Sequence, residues 1–245
     1  MNTAAMTERT AEASPCLKAR IAGVFYLLTF LTGGTALSVS GKLVIAGDAV
    51  ATAANILAHE PRLWLGFGFN LIVIACYVVV TALFYQLLKP VNRSLSLVAA
   101  FFSLMGCAVQ ASAFLFYIAP LVVLEHAQYL SVFKLEQLQA QALMFVHLNA
   151  QAYNIGLVFF GFYCLLIGYL ILGSTFLPRI LGAGMMFAGL GWLTFLYPPL
   201  ANYLSPYVLA PGIVGEGSLT LWLLVMGVNT TKWEEKASVW QASGT

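Results

Sequence analysis

The feature that most constrains this chain is a succession of apolar runs without formal charge. Leu63–Leu88 and Leu95–Leu124 contain no Lys, Arg, Asp or Glu, and each exceeds the roughly 20 residues that cross a hydrocarbon core. Inside a bilayer no water serves a free backbone N–H or C=O, so such runs satisfy their hydrogen bonds internally, as α-helices. Composition agrees. The chain is 61% apolar and 8% charged, against about 25% charged in an ordinary soluble domain. A net charge of +2 supplies no global field for nucleic acid. Cys16, Cys76, Cys107 and Cys164 form no CxxC pair, and three lie in apolar runs. That is the usage of small buried apolar residues, with no disulfide framework or zinc knuckle.

Taken in order, residues 1–17 read as a disordered cytoplasmic tail rich in Ala, Thr and Glu. The first span follows Lys18 and Arg20. Its charged start and the small residues near Ala36-Leu37-Ser38 also resemble a cleavable signal peptide, although its apolar run is longer than a signal core. Next comes a segment too polar to span, read as a short interfacial helix. Asp48 is its expected N-cap, and Val50, Ala53, Ala54 and Leu57 are expected on one apolar face. Thr52, Asn55 and His59 share another face, and Pro61 ends the helix. The second span is expected at about Leu63–Leu88, with Trp64 at its outer end, and the third at about Leu95–Leu124. The fourth runs from about Asn149 to Leu172, with a helical pattern that starts as early as Leu138. Asn154, Gly161 and Gly168 recur along it every seven residues, as in a packed seam. Gly184, Ala188 and Gly191 give the fifth span a small-residue face, and Tyr197, Tyr203 and Tyr207 form an aromatic belt beyond it. The sixth span lies within Pro211–Gly227, followed by a polar tail from 229 to 245.

Six spans put both ends of the membrane domain, residues 18–228, on one side. Arg9, Lys18, Arg20, Lys89, Arg93, Arg179, Lys232 and Lys236 lie on that side, while Lys42, Arg62 and Lys134 lie on the other. By the positive-inside rule both termini are then cytoplasmic. The expected fold is an all-α polytopic membrane bundle of six transmembrane helices, with a short interfacial helix between the first two.

The sixth span carries Glu216, a carboxylate set well inside an apolar run. An ionised carboxylate in hydrocarbon costs several kcal/mol. It therefore holds a proton, finds a partner or lines a wet cavity. Gly212, Gly215 and Gly217 beside it allow a helix, a water or a ligand to approach the backbone. Two readings follow: a protonated carboxyl bridging a tight helix contact, or a site for a ligand, ion or proton. Depths counted along the spans set Asn70, Gln110 and Asn154 in the same outer half as Glu216, with Asn55 and His59 above them. These six residues are the candidate lining of an outward-facing pocket. The alternative is that each amide merely bridges helices, at roughly 0.6 kcal/mol apiece.

The strings Ala54-Asn55-Ile56-Leu57-Ala58-His59-Glu60, Leu87-Leu88-Lys89-Pro90-Val91-Asn92-Arg93, Val158-Phe159-Phe160-Gly161, Gly168-Tyr169-Leu170 and Leu177-Pro178-Arg179-Ile180-Leu181-Gly182 stand in a distinctive order. With Gly215-Glu216 and Leu221-Trp222-Leu223-Leu224, this pattern resembles a bacterial integral-membrane family, domain-of-unknown-function family 4386 (DUF4386), from about Ala19 to Val228. The resemblance implies a bacterial inner-membrane protein and carries no catalytic residues onto this chain.

Other chemistry is thinly represented. His59, His126 and His147 all map to the outer side near Glu60 and Glu125, a set able to hold zinc only if loops bring it together. The spacing matches no HExxH motif, and no metal or other cofactor is assigned. No GxSxG, Ser-Lys pair or Cys-His pair is legible, and no internal repeat stands out. Three functional readings remain: a small-molecule or proton-coupled transporter-like or ligand-sensing bundle using Glu216; a membrane-embedded enzyme with an outer-face His and carboxylate site; and an accessory protein for another membrane protein. The expected partners are the lipid bilayer, a small-molecule ligand, and a membrane protein or second copy of the chain. Nucleic acid is not among them.

Overall fold

The computed structural model describes residues 14–41, 43–125 and 130–243. Arg9, Lys42 and His126 lie outside them. Among the described residues all regular structure is helical. It comprises α1 (Pro15–Ser40), α2 (Ala49–Ala58), α3 (Glu60–Leu88), α4 (Arg93–Leu124), α5 (Leu135–Gly173), α6 (Arg179–Leu193), α7 (Pro198–Leu204), α8 (Ala210–Val225) and α9 (Thr230–Ser243). Single 3₁₀ turns at Thr194–Leu196 and Tyr207–Leu209 extend α6 and α8. With those turns, six helices are long and apolar enough to cross a membrane: α1, α3, α4, α5, Arg179–Leu196 and Tyr207–Val225.

Two of these helices exceed the expected spans. Pro61 sits at the start of α3, where a missing N–H costs nothing, so it opens that helix as well as closing α2. α5 has 39 residues. At about 1.5 Å per residue it runs about 58 Å, nearly twice a hydrocarbon core. The polar tail from 229 onward contains α9. Asn229 caps it, its side-chain oxygen accepting from Lys232 N at 3.1 Å. Trp233 ties it to α3 by an indole N–H to Leu87 carbonyl bond of 2.8 Å. Gly227, at φ +67°, makes the turn out of α8, in a left-handed conformation that only glycine adopts freely.

The chain forms two compact units. The first comprises Met1–Leu27, Val79–Ser103 and Phe160–Thr245. Its core is built on glycine. Gly161 and Gly168 of α5 meet Gly189 and Gly182 of α6, so that a Cβ on Gly168 would stand 2.6 Å from Gly182 O, and one on Gly182 2.7 Å from Gly168 O. Matching seven-residue spacings on two antiparallel helices let the backbones touch twice. Another face of α6 meets α8: Gly184 lies against Gly215, and Gly191 against Pro211. In hydrocarbon, where no hydrophobic drive pairs helices, such close backbone packing is the main cohesion available. α1 joins through Gly23, whose added Cβ would come 2.9 Å from Leu224 N. A buried Thr81–Ser103 hydroxyl pair at 2.6 Å links α3 to α4.

The second unit comprises Leu28–Val78 and Leu104–Phe159. Leu43, Ala53, Ile56, Leu63, Leu121, Leu124 and Ala142 form its buried cluster, flanked by Tyr117 and Val146. Here α2 differs from expectation. Its buried residues are Thr52, Ala53 and Ile56, while Val50 and Leu57 are 60% and 46% exposed. The cause is Thr52, whose hydroxyl bonds both the N–H and the carbonyl of Ile45 and so turns inward with its helix face. Asp48 is the N-cap, accepting from Ala51 N at 2.8 Å. Asp48→Ala is expected to cost about 1 kcal/mol locally. Amide exchange in Ala49–Ala58 should accelerate about fivefold by that figure while the melting temperature holds.

Candidate functional site

Glu216 lies in the first unit, nine residues from Tyr207 and nine from Val225, the ends of its span. That is about 14 Å from either end. From sequence alone the span begins later, at Pro211, which sets Glu216 in the outer half. The 3₁₀ turn at Tyr207–Leu209 lengthens the helix and moves the carboxyl to its middle. The side chain is 6% exposed.

Its partners come from other helices of the same unit. Tyr26 of α1 donates its phenol to Oε2 at 2.5 Å, and Trp192 of α6 donates its indole N–H to Oε1 at 2.6 Å. The Cys164 thiol of α5 stands within hydrogen-bonding reach of the same carboxyl. Within α8 itself, Thr220 donates its hydroxyl to the Glu216 carbonyl at 2.8 Å. Packing fixes each donor. Gly23 brings α1 onto α8 one turn before Tyr26, and the Tyr26 ring meets Phe84 edge-on at 6.0 Å between centroids. Gly212 leaves the room that the Trp192 indole fills. Tyr26, Tyr163 and Cys164 are fully buried, whereas Trp192 is only partly so.

The electrostatic setting follows from the sequence. No Lys, Arg or His occurs at 21–40, 63–88, 94–124, 148–173 or 180–225. The donors that the spans supply at this depth are therefore neutral O–H, N–H and S–H groups. Those stretches themselves carry no full positive charge to set against Glu216. Chemically, the arrangement suits reversible uptake of one positive charge.

The other five candidates fall in the second unit. Asn70 donates its side-chain amide to the Gly66 carbonyl one turn back, at 2.9 Å. Gly66 also abuts the Tyr117 hydroxyl, which pairs with Ser40 at 2.5 Å. Gln110 is 3% exposed and packs on Gly156, and its Nε2 makes no hydrogen bond. Asn154 is half-buried. Asn55 and His59 are joined, the His59 Nδ1–H donating to the Asn55 carbonyl at 3.1 Å. Among the described residues no three His, Cys, Asp or Glu side chains gather closely enough to hold a metal ion. His147 is exposed, and His126 lies outside the described residues.

Sequence reasoning singled out Glu216 and did not name Tyr26, Trp192 and Cys164 as its hydrogen-bonding neighbours. A signal existed. A Tyr or Trp deep in a span carries a polar tip that needs a partner once buried, and Tyr26 and Trp192 both stand inside apolar runs without an Asp or Glu, while the sixth span offers a carboxylate.

An uncharacterized protein of Archaeoglobus fulgidus is 25% identical over 175 residues, covering 70% of this chain and 89% of the relative. No solved structure matches. The family described as "Domain of unknown function (DUF4386)" matches residues 21–227, nearly the whole helical bundle, and the chain belongs to that family.

Proposed function

We propose that this protein is a proton-coupled, transporter-like or ligand-sensing membrane bundle that works through Glu216. The supporting observation is one buried carboxyl at mid-span, held by neutral donors from three other helices, where the apolar stretches 21–40, 63–88, 94–124, 148–173 and 180–225 hold no Lys, Arg or His. A purely structural bridge gains little from a carboxyl, because an amide or hydroxyl links helices without the desolvation cost of a charge. We place it in a bacterial cytoplasmic membrane with both termini inside, on the basic bias of Lys18, Arg20, Lys89, Arg93, Arg179, Lys232 and Lys236.

The test is whether Glu216 exchanges a proton while the bundle stays folded. Infrared difference spectra of the purified protein, recorded as pH is stepped through the neutral range, should contain a carboxyl C=O band. That band should be missing from Glu216→Gln. A wild-type spectrum without the band, or an identical band in the variant, refutes the reading.

A further inference from the structure

The ring neighbours of Glu216 narrow what the site would take. The Trp192 indole and the Tyr26 phenol both touch the carboxyl. Phe84 stands edge-on to Tyr26, and Tyr163 lies within electrostatic reach of it. A single anion among aromatic side chains, in stretches at 21–40, 63–88, 94–124, 148–173 and 180–225 that hold no Lys, Arg or His, is the chemistry that recognises an organic cation. The carboxylate supplies the charge, and ring faces attract the spread positive charge of a substituted ammonium or phosphonium more than a compact, strongly hydrated ion.

We propose that the Glu216 site binds lipophilic monovalent organic cations in exchange for a proton, with Trp192 as the side chain that admits them. This rests on the reading of Glu216 as a proton site and adds the class of ligand. The exchange balances: the protonated carboxyl releases one proton as one cation docks, and total charge at the site is unchanged. Trp192 is the member best placed to move. Tyr26 and Cys164 are fully buried, whereas the indole is partly exposed and lies four residues before Leu196, the end of its span.

Equilibrium dialysis of the full chain in detergent micelles tests this with tetraphenylphosphonium, against tetraphenylborate as an anion of the same shape. The expected result is saturable binding of the cation alone, tightening as pH rises and the competing proton is removed. Glu216→Gln should weaken it about 30-fold or more, and Glu216→Asp should preserve the pH dependence. Trp192→Ala should cost about tenfold, and Trp192→Phe, which keeps a ring face, less. Equal uptake of cation and anion, or undiminished binding to folded Glu216→Gln, overturns the proposal. If the infrared carboxyl band titrates but no cation binds, the ligand class falls and the proton site stands. Absence of both rejects the two readings together.

Discussion

A protein carrying Gly215→Leu is expected to lose the α6–α8 pairing and to fail to accumulate as a folded, monodisperse species. A Cβ on Gly215 would run into the Gly184 carbonyl and stand 2.9 Å from the Ala188 Cβ. Overpacking a core commonly costs about 1–3 kcal/mol when side chains can shift. Here the obstacle is backbone, which cannot rotate away, so the helices must part. Within lipid nothing equivalent to the hydrophobic effect draws them back. The same movement would carry Glu216, the next residue, away from Trp192. Gly217→Leu is the matched control, because nothing lies within 4 Å of the position its Cβ would take. Size-exclusion profiles and thermal melting in detergent should separate the two variants clearly. Equal melting temperatures would show that the Gly184–Gly215 contact does not hold the helices.

Glu216→Ala should be the most destabilising change among the buried polar residues. It removes the acceptor of the buried Tyr26 hydroxyl and of the part-buried Trp192 N–H, and a fully buried donor so stranded costs about 1–3 kcal/mol. Hydrogen bonds measured within membranes average nearer 0.6 kcal/mol, because the unfolded chain in lipid finds other partners. Two lost bonds together with the emptied volume then give a loss of about 2–3 kcal/mol. Glu216→Gln should cost about half as much, since the amide oxygen still accepts from one donor while its NH₂ faces the other. Tyr26→Phe removes one donor to the carboxyl and leaves Trp192 its acceptor, and should fall below both. Thermal melting of the three variants gives the order. Glu216→Ala melting with wild type would mean that the carboxyl does not clasp these helices.

The threading was legible because bilayer crossing demands long uncharged runs, and such runs can be seen without knowing any contact. Glu216 was legible for the converse reason, as an acid where acids are costly. Its partners were not. Depth counting along separate helices ranks Asn70, Gln110 and Asn154 beside Glu216, yet depth carries no information about which helix faces which. The pairing is written in glycine spacing: 161 and 168 on one helix, 182 and 189 on the next, and 184 against 215. Single faces such as Gly184, Ala188 and Gly191 could be read from sequence, but joining two faces required the structure. For α2, periodicity chose the apolar stripe, and one hydroxyl serving the Ile45 backbone rotated the helix. In α9 the low apolar content hid a helix fastened by Asn229 and Trp233.

The small apolar cluster under α2 has a thermodynamic character of its own. Leu63 stands in the opening turn of α3, Leu121 and Leu124 in the closing turn of α4, and Ala142 low in α5. These are helix ends, where water is near and its avoidance of hydrocarbon does the fastening. That force fades on cooling and yields to urea, whereas glycine backbones meeting inside lipid owe it nothing. A chill would therefore slacken the seat of α2 while leaving glycine contacts of that kind indifferent, so one short chain answers to two different laws of temperature.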